Sequence, residues 1–142
     1  AALITAHLAA VSKAEAAAVA HLQAALVHAA SDPWVHPEAL RRGLALATTL
    51  SQQLGPEAAA TLIEPVLVPF SVGNLDEERR ASALRLATIA GFADYCVRAF
   101  ATLEPHVPLH PGLLTSRVRC YEQTAHPLLL RARAEQSRHV TQ

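Results

Sequence analysis

Along most of this chain apolar residues recur at three- and four-residue steps, the spacing of a helix that buries one face. The clearest row is Phe92, Tyr95, Cys96, Ala99, Phe100 and Leu103. Breaks fall where the chemistry stops a helix. Ser12-Lys13-Ala14-Glu15 spells a capping box, in which the Ser hydroxyl accepts from a free amide and the Glu reaches back. The helix restarting there ends at Pro33, because proline lacks the amide proton and restricts the residue before it. His36-Pro37-Glu38 opens the next helix, which stops at Gly55; Pro56-Glu57 starts another, and Pro65 and Pro69 kink or end it. Asn74 or Asp76 caps a helix with an acidic first turn, and Gly91 separates it from the Phe92 row. A loop over 104–111, with three prolines, precedes helices over 112–124 and 128–138, parted at His126-Pro127. The pattern predicts eight helices, with breaks near residues 12, 33, 55, 73, 91, 108 and 126, and no β-sheet.

The breaks are regularly spaced. Hairpin starts at His36, Asn74 and His110 lie 38 and 36 residues apart; Gly55 and Gly91 are 36 apart, and Pro127 follows Gly91 by 36. A single all-α domain of about four stacked helix-turn-helix hairpins, over 1–35, 36–73, 74–109 and 110–142, fits this beat. An up-down helical bundle fits the same periodicity. Leu22, Leu26, Leu46, Leu50, Leu84, Ala87, Tyr95, Phe100 and Leu103 carry the apolar rows and should be mostly buried.

The segment from Leu84 to Gly91, followed by Tyr95, Cys96, Phe100, Leu103 and Pro108, supplies small first-helix positions, a turn glycine, a second-helix packing row and a closing proline. Ala18, Leu22, Ala25, Leu26 and Pro33 repeat the second-helix part. On these residues the chain resembles the tetratricopeptide-repeat (TPR) superfamily, whose paired helices of about 34 residues stack into a right-handed superhelix. The family's usual first-helix Trp and Leu-Gly pair are absent from all four units. The resemblance implies a groove that binds a protein or peptide partner. It is also similar to the helical-repeat sensor segments of large bacterial transcription regulators.

Composition narrows the function. Of 142 residues, 51% are hydrophobic but only 4% aromatic, so the core must close-pack Ala, Leu and Val. Twelve basic and twelve acidic residues cancel, which removes the broad positive field that nucleic-acid binding needs. No apolar run approaches the roughly 20 residues that cross a membrane, and the first residues lack the cationic region of a secretory signal. Cys96 and Cys120, which form no CxxC, read as buried free thiols of a cytoplasmic protein, with a disulfide as the alternative. A first residue other than Met points to a segment of a larger chain.

No spacing matches a catalytic or metal set. Eight histidines include no HExxH; Glu104, His106 and His110 share a loop whose prolines prevent the alignment a helix would give. His36, His110 and His126 each precede a proline and read as helix caps. No GxSxG or glycine-rich phosphate loop occurs. No cofactor is therefore expected. Trp34 either anchors a partner or packs between repeats. Arg117, Arg119 and Arg133 form a basic C-terminal patch for an acidic partner, whereas Glu135 offsets Arg131 and Arg138 on its own helical face. The expected function is a non-enzymatic interaction or scaffold module. The alternative is a small-molecule-binding regulatory sensor domain of a larger protein; an enclosed pocket favours the sensor, an open groove the module.

Overall fold

A computed structural model describes the backbone of residues 2–141 and the side chains of residues 12–139. The fold is all-α, with no strand among the described residues. Six helices follow in order: α1 (Ala2–Ser31), α2 (Pro37–Leu54), α3 (Pro56–Ile63), α4 (Asp76–Ala101), α5 (Pro111–Gln123) and α6 (Leu129–Thr141). Short 3-10 turns at Glu64–Val66 and Gly73–Leu75 link α3 to α4. Consecutive helices pack on one another, and α2 also packs on α4.

Six helices replace the expected eight because two breaks behave differently. At residue 12 there is none, and α1 runs straight through the Ser12 capping box. A capping box works where the chain is already leaving the helix, and the Ala-rich flanks here contain no Gly or Pro to make it leave. Gly91 does interrupt the helical path, with φ 135 and ψ 99 inside α4, a conformation that L side chains rarely adopt. It divides α4 into two arms of one element.

Other punctuation follows local chemistry. His36 Nδ1 accepts from the Glu38 amide at 3.2 Å, with Pro37 at the first helical position, and His126 Nδ1 accepts from the Leu128 amide at 3.1 Å. His110 makes no such bond; its ring lies beside Gly112 instead. Neither Asn74 nor Asp76 caps α4, because a 3-10 turn leads directly into it and places Leu75 at the cap. Where Pro65 ends α3, the buried Arg79 donates to the Val66 carbonyl at 3.1 Å, replacing the amide a continuing helix would have supplied.

The helices enclose two cores that meet at Leu84. The first joins α1, α2, α3 and α4 through small aliphatic side chains, including Ala47, Ala59, Leu62, Ala83 and Ala87. The second joins the later arm of α4 to α5 and α6 through Cys96, Phe100, Leu114, Cys120, Tyr121 and Ala132. Leu26, Ala87, Phe100 and Leu103 are buried as expected, and Leu22, Leu50, Leu84 and Tyr95 pack partly buried against these cores. Leu46 is exposed, since the inward face of α2 carries Leu40, Leu44, Ala47 and Ser51. Cys96 and Cys120 are not free thiols. They form a fully buried disulfide between α4 and α5, because both lie on the facing apolar sides of these packed helices.

Candidate interaction groove

The four residues singled out from the sequence do not converge. Trp34 is 90% exposed on the α1–α2 turn. Its amide donates to Asp32 Oδ1 at 2.9 Å, and this tight turn projects the indole outward rather than into a crevice between helices. The three arginines belong to the other end of the fold and have three different environments.

Arg117 is the largest fully buried side chain. Its Nε donates to Glu104 Oε1 at 2.7 Å and its Nη1 to Glu135 Oε2 at 2.6 Å. Tyr121 donates its hydroxyl to the same Glu104 oxygen at 2.7 Å. Arg117 is therefore an internal clamp tying the α4–α5 loop to α5 and α6, and its charge cannot meet a partner. Burial alone would lower its pKa, but hydrogen bonds to Glu135, Glu104 and Tyr121 outweigh that and raise it. Burial, reinforced by the Glu104 hydrogen bond, pushes the Tyr121 hydroxyl up to about 12. Glu135 also receives Arg131 at 2.9 Å; burial would raise its pKa, yet its arginine partners hold it below the ordinary value.

Arg133 is exposed but pairs with Glu122 at 3.1 Å. Arg119 lies 4.0 Å over the Phe92 ring centroid, a cation–π contact. The expected C-terminal patch is thus largely neutralised from within. Glu104 is likewise engaged by Arg117 and Tyr121, and among the described residues no three His, Cys, Asp or Glu side chains form a metal-holding group.

Free positive charge lies elsewhere. Arg80 and Arg85, on the first arm of α4, have no acidic or aromatic partner among the described residues, and the Arg80 Nε is buried without a hydrogen bond. Both line an open groove of about 630 Å³ together with Glu77, Ala81, Leu84, Leu103 and Leu113. The groove was not singled out from the sequence. Its signal was available: Glu77, Arg80, Ala81, Leu84 and Arg85 recur on one helical face, and no carboxylate lies three or four residues from Arg85.

No protein-family model, no curated protein and no solved structure matches this chain. Among the described residues no helix is long and apolar enough to cross a membrane.

Proposed function

We propose that this domain is a non-enzymatic interaction module that holds a segment of a partner protein in the groove between α4 and the start of α5. The observation that carries this reading is the groove itself: about 630 Å³, apolar along its walls and open to solvent. The packing of α2 on α4 and of α1 on α3 supports a stacked-hairpin, TPR-like arrangement, in which alternate helices are neighbours. The buried disulfide favours an oxidising compartment over the cytoplasmic one expected from the sequence.

Ala81→Trp fills the groove with bulk and leaves every charge in place. Cross-linked partners recovered from the native source by the natural chain should be lost with this variant; undiminished recovery would remove the groove from the reading. A second reading, the ligand-binding sensor domain, draws support from the groove volume, which lies within the range of small-molecule sites. The open side ranks it second.

A further inference from the structure

The groove carries a charge arrangement that specifies its occupant more narrowly. At about 100° per residue, Arg80 and Arg85 stand about 140° apart around α4, with Leu84, Glu77 and Ala81 between them. Two cations therefore border a stripe that is apolar at Leu84 and Ala81 and carries one carboxylate a turn earlier, at Glu77. Across from it, Leu103 and Leu113 supply the opposite apolar wall. Glu77 lies within reach of Arg80 in sequence but makes no ion pair with it, and Asp76 turns instead to Arg79 at 3.5 Å. Both guanidinium groups remain uncompensated at a surface whose other cations are mostly paired: Arg41 with Glu38 and Glu78, Arg98 with Glu64, Arg131 with Glu135, Arg133 with Glu122.

We infer that the groove docks an acidic amphipathic helix of a partner protein, its apolar ridge against Ala81 and Leu84 and its flanking carboxylates on Arg80 and Arg85. This rests on the interaction-module reading and adds the partner's chemistry. Arginine suits the task because its planar fork pairs bidentately with carboxylates. A helix suits the groove because an apolar ridge with charges on both sides is what a helix of i, i+3, i+4 periodicity presents. The acidic partner expected from the sequence is thereby transferred from α5 and α6 to the first arm of α4.

The test uses two synthetic helical peptides of about 16 residues, long enough to be partly ordered. Each has one leucine ridge, flanked by Glu in the first and by Lys in the second. Binding is read from the anisotropy of labelled peptide and located by backbone amide shifts. The Glu peptide should perturb the groove amides and bind about tenfold or more tighter than the Lys peptide, with an affinity that falls as salt rises. Arg85→Gln and Arg80→Gln should each weaken the Glu peptide and flatten its salt dependence, and Glu77→Gln should strengthen it. Arg80 is half-buried and its variant could lose stability, so Arg85→Gln, at an exposed position, decides the matter with helical content as control. Equal binding of both peptides in the groove overturns the charge selection and leaves the module reading standing. If neither peptide moves the groove amides, both fall. If dodecanoate saturates the groove and neither peptide competes with it, the occupant is a small amphipathic anion and the partner-helix proposal is overturned.

Discussion

The two cores are built by different means. Across α1 to α3 and the first arm of α4, helices approach closely over alanines and leucines, and the buried polar side chains there, among the described residues, are Ser51, Arg79 and Ser82. Around α5 and α6 the helices are only 13 residues each, and their cohesion depends on individual contacts: the Cys96–Cys120 bridge, the edge contact of Phe100 with Tyr121 at 6.1 Å, the stack of Tyr121 on His126 at 4.1 Å, and Arg117 held by two carboxylates. Small side chains spread stability over many replaceable contacts. Named polar and covalent contacts concentrate it, so single substitutions should be far more damaging in the second core.

The largest effect should come from Arg117→Ala. Removing the cation strands Glu104 and Glu135, whose side chains are only 15% and 18% exposed, at a cost of about 3 to 5 kcal/mol. Urea unfolding measures it, and a loss below about 1 kcal/mol would mean that the carboxylates rehydrate freely and the clamp is not structural. Next comes the disulfide. Its 24-residue separation gives a chain-entropy contribution of about 3 to 4 kcal/mol. Cys96→Ala with Cys120→Ala should accelerate amide exchange in α5 and α6 while α2 and α3 keep their protection. Uniform loss across all six helices would show that the two cores unfold as one unit and would break the comparison.

The same contrast decides what could be read in advance. Helix-ending signals are local, so Pro33, Gly55, Gly91 and Pro127 marked their breaks from the sequence alone. The Ser12 signal was equally local but misled, since a capping box is compatible with a helix interior when nothing ends the preceding turn. The apolar rows of the first core were mostly legible because periodicity encodes them; Leu46 failed because it sits off the inward face of α2. In the second core the row of Cys96, Phe100 and Leu103 was equally legible, but its polar and covalent contacts were not. Nothing local distinguishes Arg117, buried between Glu104 and Glu135, from Arg133, which is exposed beside Glu122, because the difference arises from elements 13 and 18 residues away. The disulfide has the same origin, since it depends on which thiol the fold brings across; the groove arginines differ, because the lack of a carboxylate three or four residues from Arg85 is written in the sequence.

Tyr121 gives a smaller and more selective effect. Its hydroxyl titrates at about 12, above the ordinary value of 10.0, so the stabilisation is complete below pH 10 and is lost as pH rises through the folded value. Phenolate absorbance should show one of the two tyrosines ionising late, together with the onset of unfolding around α5 and α6. Tyr121→Phe should abolish the late step. A single early titration of both tyrosines would show the Tyr121 ring to be solvent-accessible.

The smallest effect should be at Glu64, and it is the control on which the comparison turns. Glu64 and Arg98 join the end of α3 to the second arm of α4 by two hydrogen bonds of 2.8 and 2.7 Å, a geometry as good as that of the Arg117 clamp. The difference is solvent: these side chains are 46% and 51% exposed. The Arg98 hydrogen bonds hold the Glu64 carboxyl below its ordinary 4.5, overcoming a smaller opposing effect of burial. A depressed carboxylate stabilises the fold above its unfolded pKa and ceases to do so as pH falls through its folded pKa. Glu64→Gln should therefore cost less than about 1 kcal/mol near neutral pH, and high salt should reduce that further. In acid, where Glu64 is protonated in both states, the variant and the natural chain should unfold alike. If instead Glu64→Gln matched Arg117→Ala in urea and resisted salt, hydrogen-bond geometry alone would set the strength of these pairs, and burial would no longer separate the two ends of the molecule.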